Sequence, residues 1–199
     1  LRSPGLRTRV RRGGPAGAEL ARRLAEAGIE CVLFEAKPGR AKPCGGGLTP
    51  RAMDLMAPAV REMAQGRSIF RITSRSPSGR TFVLQLSEPI TVVSRKEFDD
   101  RLRRSAGEAG AKLVYRRVRL IERQNGVFVI DGRERFPLLV GAGGFNCPVA
   151  RALAGPLGSQ DLAAAAGYYL TGDHFPKIDI QFTDGLAGYL WFFPGASIA

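Results

Sequence analysis

A glycine cluster directly ahead of an alanine-rich amphipathic run, followed by a short apolar segment ending in an acid, leaves a chain few folds to choose from. Here the cluster is Gly13-Gly14-Pro15-Ala16-Gly17, the run extends from Ala16 to Ala27, and the segment is Cys31-Val32-Leu33-Phe34-Glu35. Turn, helix, strand and acid in that order make the second half of a dinucleotide-binding βαβ unit. Gly14 lets the backbone approach a pyrophosphate, and Gly17 lets the helix pack closely on a sheet. Pro15 suits a first helical turn, where its missing amide hydrogen leaves no bond unmade. Glu35, with Ala36 beside it, stands where a ribose hydroxyl would find an acceptor.

The first half of that unit is anomalous. Its strand belongs in the centre of a parallel sheet and normally reads as a continuous aliphatic run. Residues 6–12 read Leu-Arg-Thr-Arg-Val-Arg-Arg, and Arg12 takes the place of the first glycine of the turn. Unpaired guanidinium groups in a sheet centre carry a large desolvation cost. The expectation is a strand that is absent or shifted, or, preferred here, a basic run that is not the native start of the protein.

Composition narrows the classes. A chain of 199 residues holds one good core, or one domain and part of another. No apolar run approaches the roughly 18 residues of a membrane span, and no apolar core follows the basic start as in a signal peptide. Cys31, Cys44 and Cys147 are too widely spaced for a disulfide framework or a metal site, so a cytoplasmic location is expected. The net charge is +12, of which five arginines in the first twelve residues supply a large part. No nucleic-acid module with interleaved aromatics accompanies it. A solvated basic surface is the plainest account, and a peripheral contact with anionic membrane is another.

Helical spacing of Leu20, Ala21, Leu24 and Ala25 predicts a helix that ends at Gly28. A second amphipathic helix is predicted over 51–65, interrupted by Pro58. Residues 68–87 predict a β-hairpin around Ser76-Pro77-Ser78-Gly79, with a separate apolar stretch at 90–93. A charged helix follows from Lys96 to Ala109, then a strand from Lys112 to Tyr115, and two strands joined at Gln124-Asn125-Gly126. Residues 136–140 run into a second glycine cluster, Gly141-Ala142-Gly143-Gly144, ahead of a short helix near 149–153. Residues 178–193 alternate as strands around Asp184-Gly185.

Four stretches together resemble the geranylgeranyl reductase family of FAD-dependent oxidoreductases, which shares its fold with aromatic hydroxylases and flavin halogenases. They are Gly14-Pro15-Ala16-Gly17-Ala18 with Glu35; Lys42-Pro43-Cys44-Gly45-Gly46-Gly47-Leu48-Thr49-Pro50; Ser94-Arg95-x-x-Phe98-Asp99; and Val140-Gly141-Ala142-Gly143-Gly144 together with Gly188-Tyr189-Leu190-Trp191-Phe192-Phe193-Pro194. The second is the most family-specific. Gly143 departs from the pattern, because many relatives carry Asp there.

The resemblance implies an α/β chain: a Rossmann-like FAD-binding domain, βαβ with a β-meander crossover, over 1–158, carrying an inserted hairpin at about 66–93. Residues 159–199 would begin a mixed-sheet substrate domain, and the whole would be an N-terminal fragment of a chain about twice as long. FAD would be held by Gly13, Gly14, Pro15, Ala16, Gly17, Glu35, Ala36, Cys44, Gly45, Gly46, Gly47, Arg95 and Gly144. Arg95 would meet the pyrophosphate, the Cys-Gly-Gly-Gly segment would lie by the flavin ring, and the Cys44 thiol would be a weak proton donor in catalysis. Tyr189, Trp191 and Phe193 alternate and so share a strand face, which the resemblance places over the flavin as the surface for an apolar isoprenoid chain. NADPH or a ferredoxin-type donor would supply electrons. The implied activity is reduction of carbon–carbon double bonds in that isoprenoid. The alternatives are a flavin monooxygenase or halogenase, and an inactive FAD-binding fragment. His174, the one histidine, takes no role.

Overall fold

The computed structural model describes residues 8–11 (backbone only), 14–39, 43–64, 66–170 and 176–195. Arg12, Gly13, Lys42 and His174 lie outside the described residues. In chain order the elements are β1 (Thr8–Arg11), α1 (Pro15–Glu26), β2 (Cys31–Phe34), β3 (Gly47–Leu48), α2 (Pro50–Asp54), α3 (Pro58–Met63), β4 (Arg67–Arg75) and β5 (Thr81–Val92). Then come α4 (Arg95–Glu108), β6 (Lys112–Val114), β7 (Ile121–Gln124), β8 (Val127–Ile130), β9 (Glu134–Phe136), β10 (Leu138–Gly141), α5 (Pro148–Ala154), β11 (Ile178–Phe182) and β12 (Tyr189–Phe192). Two compact units emerge, Leu1–Arg40 with Asp99–Ala164, and Ala41–Phe98 with Ala165–Ala199. Neither is continuous in sequence.

The first unit is built on a four-stranded parallel sheet of order β10-β1-β2-β6. Of the two readings of the basic run, the absent or shifted strand does not hold, because Thr8–Arg11 pairs with Cys31–Phe34 on one side and Leu138–Gly141 on the other; the preferred reading concerns the origin of the run and not its pairing. Side-chain desolvation argued against it, but two full ladders satisfy the backbone of a strand only four residues long, whatever its side chains.

α1 covers one face of this sheet through Ala18 and Ala21, both fully buried, and the Cys31 thiol donates to the Ala21 carbonyl at 3.3 Å. A Schellman motif closes the helix. The Gly28 amide donates to the Ala25 carbonyl and the Ile29 amide to that of Leu24, with Gly28 at φ +74°. On the other face Phe34 packs with Val118, Ile130, Phe136 and Leu139, which belong to the β7-β8-β9 meander and its flanks. Each such side chain contributes about 1.5–3 kcal/mol of burial. The β7–β8 turn takes positive φ at Asn125 and Gly126, the backbone that the Asn-Gly pair predicts.

The second unit is a five-stranded mixed sheet of order β12-β11-β4-β5-β3. The hairpin runs from Arg67 to Val92, the span of about 66–93 that the resemblance implied, and β5 joins the apolar residues 90–92, which the alternation sets apart, to the hairpin. An irregularity makes this possible. Ile69 pairs with Ile90 and Arg71 with Gln85, so residues 86–89 bulge out around Pro89, which has no amide to give a ladder. Pro58 divides the helix predicted over 51–65 into α2 and α3 and sits at the first turn of the latter. Ile69, Val92 and Ile178 form the buried core, with Ile72, Ile90, Ile180 and Phe193 packed on it.

Candidate functional site

Strand order locates a site in the first unit. From β1 the chain adds β2 and β6 on one side, then crosses to lay β10 on the other. The switch point therefore falls between β1 and β10, and ligands of open parallel sheets bind beyond the strand carboxyl ends at such a point. Gly14 follows β1 there, and Gly141–Gly144 end and follow β10.

The start of α1 is arranged to receive an anion. Gly14 is the buried N-cap and offers no capping side chain, and no acid stands in the first turn. With Pro15 lacking an amide hydrogen, the amides of Ala16 and Gly17 are left to an incoming group. Ala18 already donates to the Gly14 carbonyl at 2.9 Å. Ala16 is exposed and Gly17 buried, and the amide hydrogens of both point along the helix axis toward its N-terminus.

Farther along, Glu19, Arg22, Arg23 and Glu26 form an ion-pair network. Arg22, 7% exposed, bonds Glu19 at 2.7 Å and Glu26 at 2.5 Å, and Arg23 bonds Glu19 at 2.6 Å. Burial works to raise the Glu19 carboxyl, but hydrogen bonds from Arg22 and Arg23 outweigh it and hold the pKa below the ordinary value. Arg22 is pushed up, first by its hydrogen bond to Glu19.

Glu35 follows β2 at the same sheet edge, half-buried, with Oε1 accepting from the Lys37 amide at 2.8 Å. Ala36 is half-buried beside it. Beyond β10, Gly144 opens a single 3₁₀ turn at φ +67°, and a Cβ there would meet open space. Gly14, Pro15, Ala16, Gly17, Glu35, Ala36 and Gly144 thus all lie at the carboxyl edge of one sheet. Cys31 faces α1, and burial pushes its thiol up, which suits a packing residue.

The second unit joins two of the stretches that carried the resemblance. Cys44 is exposed, and its Sγ accepts from the Gly46 amide at 3.5 Å. Gly46 lies at φ +75°, its carbonyl accepts from the Val93 amide at 3.0 Å, and Gly47 pairs with Val92. A Cβ on Gly45 would stand 2.3 Å from the Phe193 ring, one on Gly46 2.1 Å from the Val93 carbonyl oxygen, and one on Gly47 3.0 Å from Phe193. All three glycines are needed for the loop to lie flat on Phe193 and the end of β5.

Phe193 begins an aromatic row. Trp191 opposes Ile180 and Tyr189 opposes Phe182 in the ladder. The Tyr189 ring lies 5.9 Å from Trp191 and 5.7 Å from Phe182. The row runs from Phe193 on the core, through half-buried Trp191, to Tyr189 at 50% exposure. Phe182 was missed in the sequence, although its mirror position to Tyr189 about the Asp184-Gly185 turn would have indicated it. In this unit too, Ser94 caps α4, its Oγ accepting from the Glu97 amide at 3.5 Å, and half-buried Arg95 opens the helix.

An open parallel sheet with a helix N-terminus and two glycine turns at its switch point defines a dinucleotide-binding domain. The chain belongs to the FAD binding domain family, whose model matches residues 12–165. It is 32% identical over 151 residues to a geranylgeranyl diphosphate reductase of Rhodobacter capsulatus, over 69% of this chain and 37% of that protein. It is 29% identical over 198 residues to digeranylgeranylglycerophospholipid reductase 1 of Methanopyrus kandleri, over 91% of this chain and 52% of the relative. The crystal structure of a geranylgeranyl bacteriochlorophyll reductase-like protein from Thermoplasma acidophilum superposes with a TM-score of 0.70 at 24% identity, over 95% of this chain and 53% of that one. That likeness establishes the fold, the α/β Rossmann-like domain with a meander and an accompanying mixed sheet that the sequence implied. The chain spans about half the length, or less, of these proteins. Among the described residues no helix is long and apolar enough to cross a membrane, and no cluster of three His, Cys, Asp or Glu could hold a metal.

Proposed function

We propose that this chain forms the FAD-holding part of a reductase acting on carbon–carbon double bonds of an isoprenoid chain. The observation that carries the reading is the pair of glycine turns, Gly14 after β1 and Gly141–Gly144 after β10, flanking the switch point in a chain of the FAD-binding family.

The residues fit the group. The Ala16 and Gly17 amides and the positive end of α1 would hold the pyrophosphate, and the Glu35 carboxylate would accept from the adenosine ribose, with Ala36 against it. The Gly144 amide would approach the ribityl chain. Arg95, a planar donor, would serve the phosphate oxygens, while Gly45, Gly46 and Gly47 would present backbone to the isoalloxazine. When bound, FAD supplies hydride transfer to the alkene, with electrons drawn from NADPH or a ferredoxin-type donor. Cys44, whose thiol is exposed, would hold the proton for the neighbouring carbon at Sγ. Tyr189, Trp191 and Phe193 would orient the apolar chain and exclude water from it. The names of the two relatives, both reductases of geranylgeranyl compounds, support that substrate class. A basic, lipid-handling protein also suits a peripheral membrane contact.

The test is to load the chain with FAD, reduce it with dithionite without oxygen, and add geranylgeranyl diphosphate. A product heavier by two hydrogens supports the reading. Unchanged isoprenoid, with oxygen consumed when an aromatic substrate is given, would favour a monooxygenase.

A further inference from the structure

The second glycine turn owes its shape to a residue outside it. Cys147 closes the 3₁₀ turn at Gly144–Asn146, caps α5 and is 2% exposed. A Cβ added to Gly143 would stand 2.9 Å from the Cys147 Cβ, 3.0 Å from its Cα and 3.1 Å from its Sγ. One added to Gly141 would stand 2.8 Å from the same Sγ and 2.6 Å from the Val149 Cβ. Gly143 has φ −83° and ψ 3°, a backbone open to any residue. Glycine is required at 143 for space alone, and Cys147 fills that space.

We propose that Cys147 is the positioning residue of this turn. Its side chain sets how closely the exit of β10 folds back on the start of α5, and through Gly141 and Gly143 it fixes where the Gly143–Gly144 backbone stands at the carboxyl edge of the sheet. Residues 143 and 147 are one packing unit that determines how nearly the backbone can approach the ribityl and phosphate portion of a dinucleotide. The ligand named here rests on the FAD reading above, whereas the coupling of 143 to 147 does not.

The test compares the chain with Cys147→Ser, Cys147→Ala, Gly143→Ala and the double variant Gly143→Ala/Cys147→Gly, by thermal melting, FAD titration and the visible spectrum of bound flavin. Serine, similar in shape, should keep FAD affinity within about threefold. Alanine, which removes Sγ without a clash, should fold, weaken FAD about tenfold and shift the bound-flavin band. Gly143→Ala should lower both melting temperature and affinity, and removing the Cys147 side chain beside it should restore part of each, as expected of directly coupled sites. Unchanged affinity and spectrum in Cys147→Ala would overturn the proposal, and so would a harmless Gly143→Ala. If the unaltered chain binds no FAD, the functional reading falls, and the melting temperatures alone decide the pair: additive shifts refute the coupling, and recovery in the double variant upholds it.

Discussion

Gly45 lies against the ring of Phe193 so closely that a Cβ at 45 would stand 2.3 Å from the ring carbon Cδ2. These residues come from the two most distinctive stretches of the chain, almost 150 positions apart, and they fix one loop on one aromatic row. Gly45→Ala forces the ring or the loop to move, and overpacking of this kind costs about 1–3 kcal/mol. Shortening the ring in Phe193→Leu should return part of that loss. Urea denaturation of both single variants and the double checks it, and simple additivity would contradict the contact.

Gly46→Ala should be worse than Gly45→Ala. The residue sits at φ +75°, where a Cβ costs about 1–2 kcal/mol by itself, and the atom it would strike, 2.1 Å away, is the Val93 carbonyl oxygen. Backbone cannot turn aside as a side chain can. The same denaturation series should rank the two.

Trp191 is the one tryptophan, so intrinsic emission reports on the aromatic row alone. Adding a geranylgeranyl amphiphile should shift its emission to the blue as the apolar chain excludes water. Tyr189→Ala, at a half-exposed position, should weaken that response severalfold while leaving the melting temperature within a few degrees. An emission maximum that ignores the amphiphile would refute the assignment of this row to substrate.

Stability should depend on Glu19 in acid. Its folded-state pKa lies below the ordinary value of 4.5, because the bonds from Arg22 and Arg23 outweigh the opposing effect of burial. The unfolded chain therefore takes up the proton first as pH falls. The contribution of Glu19 is complete above the ordinary carboxylate range and is lost as pH drops through the folded-state value. Glu19→Gln should lower the melting temperature at pH 7 and flatten its fall between pH 5 and 3. An unaltered slope would contradict the network.

What the sequence disclosed and what it hid divide along physical lines. The unit from Gly14 to Glu35 was legible because helical period, Gly28 and the terminal acid are local signals, and α1 and β2 lie where they place them. Alternation likewise put Tyr189, Trp191 and Phe193 on one face, which Phe193 enters at its buried end. Thr8–Arg11 was not legible as a strand, since arginine content speaks of side chains while a parallel ladder is made by backbone. The course of β5 past Pro89 depends on a bulge, which leaves no periodic trace. Gly143 read as a lost carboxylate. That Cys147 occupies the space of its missing side chain is a contact across a turn, visible only in three dimensions.

Whether the α1 N-terminus receives a dinucleotide is the most direct question to put to this chain. The chain should be titrated with FAD, following the visible flavin spectrum, beside Gly14→Val, which places a branched side chain at the buried N-cap next to the Ala16 and Gly17 amides. Saturable one-to-one binding with a shifted flavin band is expected, weakened about tenfold or more by Gly14→Val under conditions where melting curves show both proteins folded. Absence of binding in the unaltered chain, or equal affinity in the two proteins, would contradict binding at the α1 N-terminus.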